Sequence, residues 1–185
     1  MNEQSTLSRS EWWRHAMING LGLGLIQMLI FFVLYFLEPS KLAGFSYLLV
    51  TLALNIAFPI NRGIAWRKAL DGYLSFGEGF KHAGVLLITS GLLQLVLSMI
   101  FILVEPAMPE VLAQAQLDSS LYWAEKFGAP EETLDTMKEQ FDIEEITSRF
   151  SITGMIKGFG ISLIFYALGA LIIAIFTRKN PPELV

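Results

Sequence analysis

The apolar positions of this chain fall into four long blocks, at about residues 16–37, 42–60, 83–104 and 155–176. Each block supplies roughly the 20 apolar residues that a helix needs to cross a bilayer core. Each is bounded by charged or turn-forming residues. Glu38, Pro39, Ser40 and Lys41 make a tight turn between blocks one and two, and Asn61 and Arg62 close block two. Glu105, Pro106 and Pro109 close block three, and Arg178, Lys179, Asn180 and Pro181 close block four. The pattern predicts four transmembrane helices. The first follows Arg9 and Arg14, as the h-region of a signal peptide would. Its apolar run exceeds the about 7–15 residues of such a region, and no small-x-small site precedes Glu38, so a retained helix is expected.

Between blocks three and four, residues 105–151 follow a different pattern. Leu112, Leu117, Leu121, Ala124 and Phe127 recur at near-helical spacing, and Gly128 is a natural stop. Pro130 is expected in the first turn of a second helix, with Glu131 and Glu132 near its positive end. Leu134, Met137 and Phe141 continue an amphipathic stripe, with Ile146 and Phe150 beyond. The expected architecture is therefore all-α. One membrane domain, residues 1–185, forms a four-helix bundle, and 105–151 inserts an acidic helical hairpin outside the membrane.

Charge gives this architecture a direction. Charged residues make up 16% of the chain, against about 25% in soluble domains. Lys and Arg concentrate on the cytoplasmic side of membrane proteins. With the N-terminus inside, the inner segments hold Arg9, Arg14, Arg62, Arg67, Lys68, Lys81, Arg178 and Lys179. The outer ones hold Lys41, Lys126, Lys138, Arg149 and Lys157. Both termini are then expected in the cytoplasm, with Trp12, Trp13, Trp66 and Tyr73 as aromatic anchors at the inner interface. The 105–151 segment, with eleven acidic residues, lies outside. Its carboxylates Glu131, Glu132, Asp135 and Glu139 share a helix and form a candidate face for a cation or a partner. They lack EF-hand spacing, and a solvated surface is the plainer reading.

Within the spans, Gln27, Asn55 and Gln94 are polar candidates for helix-to-helix bonding or for lining a groove. No Asp, Glu, Arg or Lys sits near the centre of a span, which argues against a pump or proton-coupled transporter. Small residues mark close-packing faces: Gly20 and Gly24, then Gly84, Gly91 and Ser98 seven residues apart, then Gly154 and Gly158, with Ala170 and Ala174 beyond. These faces serve the bundle itself or a homodimer.

Candidate chemistry is sparse. The absence of cysteine excludes disulfides, thiolate metal sites and a cysteine nucleophile. A net charge of −4 with no basic stripe points away from nucleic acid. The two histidines, His15 and His82, fall at the inner interface. Glu78 lies four residues before His82, on the same helix face, and is the only acid–base couple on offer. Ser75-Phe-Gly-Glu78 also fits a capping box, which accounts for Glu78 without catalysis. Gly20-Leu-Gly-Leu-Gly24 follows no strand and sits in an apolar helix, so it is no nucleotide loop. No catalytic residue, metal or cofactor is expected.

Several segments together resemble the DUF4199 family, small four-span membrane proteins found mainly in Bacteroidota. They are the start from Trp13 into Gly24, Leu74-Ser-Phe-Gly-Glu-Gly-Phe-Lys81, the acidic insertion with Gly128-Ala-Pro-Glu-Glu132, the Gly-rich fourth span and Lys179-Asn-Pro-Pro182. The resemblance implies a bacterial inner membrane and no catalytic residue, because the family has no established function. The expected role is a non-enzymatic scaffold or accessory subunit of an envelope complex, in contact with the bilayer and with a membrane-protein partner or a second copy. The alternatives are a passive carrier of a lipid or lipid-linked sugar, using Gln27, Asn55 and Gln94, and an enzyme using Glu78 and His82.

Overall fold

The computed structural model describes residues 11–70 and 72–181; Arg9 and Pro182 lie outside the described residues. The helices are α1 (Trp12–Leu37), α2 (Phe45–Ala69), α3 (Phe76–Val104), α4 (Met108–Lys126), α5 (Glu131–Gln140), α6 (Ile143–Arg149) and α7 (Ile152–Thr177), with a 3-10 turn at Pro39–Ala43. Helices α1, α2, α3 and α7 coincide with the four apolar blocks and are long and apolar enough to cross a membrane. The chain is all-helical among the described residues, apart from an isolated antiparallel bridge between Leu74 and Lys179.

The helices outlast the apolar blocks. Helix α2 runs through Pro59, Asn61 and Arg62 to Ala69, where the sequence suggests an end near Arg62. Gly63 is passed within the helix, where its missing side chain makes room for Thr177, and Arg67 and Lys68 in the last turn suit the negative end of the helix. Helix α3 opens on the expected capping box. The Ser75 N–H and hydroxyl donate to Glu78 Oε2 at 2.9 and 2.8 Å, and the Glu78 N–H donates to Ser75 Oγ at 3.3 Å.

Between α3 and α7 the chain forms three helices, where the apolar stripe suggests two. Helix α4 stops at Gly128, whose φ of +81° is left-handed. Gly128 N–H donates to Glu125 O at 2.8 Å and Ala129 N–H to Ala124 O at 2.9 Å, a Schellman closure. Pro130 precedes α5 as its N-cap, one position before the expected first turn, and its carbonyl accepts from Thr133 and Leu134. The stripe then breaks after Phe141, because the Asp142 carboxylate accepts from the Glu145 N–H at 2.8 Å and starts α6 afresh.

Two compact units divide the chain, and each spanning helix contributes a segment to both. The first comprises the described parts of Met1–Ile26, Leu52–Gln94 and Ile161–Val185. Its core is Ala16 and Leu23 of α1, Ala83, Leu86 and Leu87 of α3, and Ala170 and Ile173 of α7, with Leu54 and Phe58 of α2 against it. The second unit comprises Gln27–Thr51 and Leu95–Gly160. Its core is Tyr35, Met108 and Leu112, packed with Phe31, Leu42, Phe101 and Phe150.

Small residues set the helix spacing in the first unit. A Cβ on Gly20 would lie 2.5 Å from the Leu86 carbonyl oxygen, and one on Gly24 2.9 Å from that of Ser90. These two glycines let α1 approach the α3 backbone directly. The arrangement of the remaining surface is the reverse of a soluble bundle. Only 33% of the apolar window of α1 is buried, 11% of that of α2, 22% of α3 and 17% of α7. Leu25, Leu29, Val33 and Phe36 of α1 and Leu48, Leu49 and Leu52 of α2 are exposed. Soluble monomers rarely expose contiguous apolar area beyond a few hundred Å². A surface of this kind is stable when its solvent is hydrocarbon.

Candidate functional site

A cluster of polar side chains lies in the first unit, near the start of α1, the end of α2 and the start of α3. His15 Nδ1 and His82 Nε2 are 2.8 Å apart. Asn19, one turn after His15, approaches His15 Nε2 at 3.3 Å and donates to the His15 carbonyl at 2.7 Å. An amide N–H has only protons to give. With Asn19 donating to Nε2, the His15 proton sits on Nδ1 and is donated to His82 Nε2. His82 is 1% exposed. The Trp66 ring covers the pair, stacked 9° from parallel to His82 at 6.3 Å and 5.0 Å from His15. Trp66 is itself buried.

The sequence suggests a surface couple of His82 with Glu78. The structure instead places His82 in the interior, with the His15 ring as its hydrogen-bonding neighbour, while Glu78 caps α3 through Ser75. The His15–His82 contact is missed by a reading confined to one helix, because 67 residues separate the two rings. A signal for it does exist. His15, Trp66 and His82 all lie near span ends that share one side of the bilayer in the expected topology. Chemically, a hydrogen-bonded imidazole pair closed by an indole ties three helices together. A cleft of about 210 Å³ beside it is lined by Trp12, Trp66, Leu70, Glu78 and Lys81.

The basic ends of the same unit are also joined. Arg67 Nη1 donates to the Thr177 carbonyl at 2.9 Å and so caps α7. Leu74 and Lys179 exchange backbone hydrogen bonds of 3.0 and 2.8 Å, and Lys179 Nζ sits 5.7 Å above the Tyr73 ring.

The other sequence candidates are dispersed. Gln27 is buried at 2% exposure, and Asn55 is half-buried. Gln94 donates within α3 to the Ser90 carbonyl and hydroxyl, both at 3.3 Å. None of the three lines the cleft beside Trp66. On α3, Gly91 lies against the Tyr166 ring, a Cβ on Gly84 would lie 4.0 Å from that of Ala170, and the Ser98 hydroxyl is 4.0 Å from the Met28 sulfur. Gly154 sits against the Ser148 and Arg149 carbonyls in the turn into α7, whereas a Cβ on Gly158 would meet nothing within 4 Å. Glu131, Glu132, Asp135 and Glu139 are exposed on α5, with Asp135 paired to Lys138 at 2.9 Å. Among the described residues no three acidic or histidine side chains converge as metal ligands.

The chain matches no curated protein and no solved structure. It does match the family described as "Protein of unknown function (DUF4199)" over residues 18–179, which takes in all four spanning helices but for the first turn or so of α1, and the chain belongs to that family.

Proposed function

We propose that this protein is a non-catalytic multi-pass component of the bacterial inner membrane, acting as a scaffold or accessory subunit of an envelope complex. The observation that carries this reading is how the polar side chains of the spanning helices are used. His15 bonds to His82 under Trp66, Gln94 bonds to Ser90, and Glu78 caps α3. These groups serve the fold, which weighs against an enzyme built on Glu78 and His82 and against a carrier path built on Gln27, Asn55 and Gln94. By contrast, α5 holds Glu131, Glu132, Asp135 and Glu139 outward, a charged face suited to a basic partner surface.

Both termini are cytoplasmic in this reading, and α4–α6 project to the other side. Support comes from the distribution of cations. Arg14, Arg62, Arg67, Lys68, Lys81, Arg178 and Lys179 all belong to the first unit, within about two turns of a spanning helix's end or just beyond it. Basic residues this close to span ends mark the cytoplasmic side.

The test is crosslinking in native membranes followed by mild-detergent purification, comparing the natural chain with a variant in which Glu131, Glu132, Asp135 and Glu139 are all changed to Lys. A discrete partner, or a second copy, that is captured with the natural chain and lost with the variant supports the reading. Capture of the monomer alone from both chains contradicts it.

A further inference from the structure

The second unit contains two neighbouring clefts, which share Gly44 and whose joint chemistry matches one class of ligand. The polar part of the pair, about 780 Å³, is lined by Glu38 and Lys41 of the turn after α1, by the first residues of α2, and by Asp118, Tyr122, Trp123 and Lys126 of α4. The more apolar part, about 460 Å³, is lined by Phe31, Tyr47, Leu48 and Thr51 of α1 and α2 and by Leu112 and Gln116 of α4. Each volume lies within the about 300–1,000 Å³ of small-molecule pockets.

The depth of the two parts fits an amphiphile. The polar part sits where α1 ends at Leu37 and α2 begins at Phe45, both span ends and therefore at headgroup level. Phe31 and Thr51, in the apolar part, each lie six residues inside those ends, roughly 9 Å deeper at 1.5 Å per residue. That depth belongs to acyl chains. The wall between α4 and the turn is fixed, because the Ser119 hydroxyl donates to the Ala43 carbonyl at 3.1 Å and Phe45 meets Trp123 edge to face.

The charges select the headgroup. Two lysines and two carboxylates line the polar part, a balanced set. Lys41 is paired with Glu38 at 2.7 Å. Lys126 instead holds its ammonium 4.8 Å above the Trp123 ring and 5.6 Å from that of Tyr122. A ring face attracts the ammonium but leaves its N–H donors open to an anion. The positive end of α2, which starts at Phe45, lies on the same side. Asp118, held by Gln114 at 2.9 Å, is the matching acceptor. A ligand with one phosphate and one N–H-bearing ammonium satisfies both. Phosphocholine does not: its quaternary ammonium has no hydrogen to give Asp118, and Lys126 already occupies the ring faces. A purely anionic headgroup leaves Asp118 facing like charge.

We infer that this pair of clefts binds one phospholipid of the phosphoethanolamine type, with its phosphate at Lys126, its ammonium at Asp118 and one acyl chain along Phe31, Tyr47 and Leu48. The inference goes beyond the accessory-subunit reading and does not rest on it, since a lipid held here accompanies the chain with or without a protein partner.

Native mass spectrometry of the full-length, delipidated protein in detergent tests it. The protein is titrated with phosphatidylethanolamine, phosphatidylcholine and phosphatidylglycerol of identical acyl chains, and with soluble phosphoethanolamine. The expected result is one retained phosphatidylethanolamine, bound about tenfold or more tightly than either other lipid. Asp118→Ala should remove that preference, whereas Lys126→Glu should weaken all three lipids, whose phosphate Lys126 holds. Leu48→Trp, which fills the apolar part, should weaken all three lipids together, and Lys138→Glu on α5 should change nothing. Equal retention of the three lipids overturns the inference. So does an undiminished preference in Asp118→Ala, or soluble phosphoethanolamine competing as well as the lipid.

Discussion

Gly20 and Gly22 lie two residues apart on α1, and the structure predicts opposite outcomes for the same substitution. A methyl group on Gly22 meets nothing within 4 Å. In Gly22→Ala only the helix preference changes, which favours alanine by up to about 1 kcal/mol. The same methyl on Gly20 lies 2.5 Å from the Leu86 carbonyl oxygen and 2.8 Å from Thr89 Cβ. The first neighbour is backbone and cannot turn aside, so α1 and α3 must separate by several tenths of an ångström. Forcing a methyl into a packed contact costs about 1–3 kcal/mol, and separation also loosens Gly24 against Ser90. The two variants should therefore differ by about 2 kcal/mol, Gly20→Ala being the weaker. Reversible unfolding in mixed detergent micelles, followed by tryptophan fluorescence, measures the difference. Equal stability of the two variants would refute the direct approach of α1 to the α3 backbone.

Three further outcomes follow from the same structure. His82→Ala removes the hydrogen bond to His15 and opens a cavity under Trp66, a loss of about 2–4 kcal/mol, while His82→Phe refills the volume and should recover part of it in the same unfolding assay. Gly128→Ala strains a left-handed residue and should cost about 1 kcal/mol, seen as a lower melting temperature by circular dichroism. Asp142→Ala removes the cap of α6 and should also cost about 1 kcal/mol, with faster amide exchange confined to residues 143–149.

The parts of this fold that depend on local sequence are legible in it. Twenty-residue apolar blocks announce α1, α2, α3 and α7, Ser75 and Glu78 announce the start of α3, and Gly128 announces the end of α4. What depends on a partner distant in the chain is not legible. Gly20–Gly24 and Gly154–Gly158 have the same spacing, yet the first pair meets the α3 backbone, while Gly154 fits a turn and a Cβ on Gly158 would meet nothing within 4 Å. Spacing records that a face is small and not what it faces. The His15–His82 bond requires the first and third spans to be set side by side. The polar cleft requires Lys126 to be brought from 85 residues away to Lys41, and no periodicity encodes that. The break between α5 and α6 was open to a sequence reading, since Asp142 followed three residues later by Glu145 fits a cap, but the apolar stripe running across it masked the signal.

The central claim is that α1, α2, α3 and α7 cross a bilayer, with α5 on one side and the residues after α7 on the other. The chain has no cysteine, so single cysteines report cleanly. In intact spheroplasts treated with a membrane-impermeant maleimide, Glu131→Cys should label, Arg178→Cys should label only after lysis, and Val96→Cys within α3 should label in neither case. Labelling of Val96→Cys by the aqueous reagent, or of Glu131→Cys and Arg178→Cys from the same side, would contradict the account.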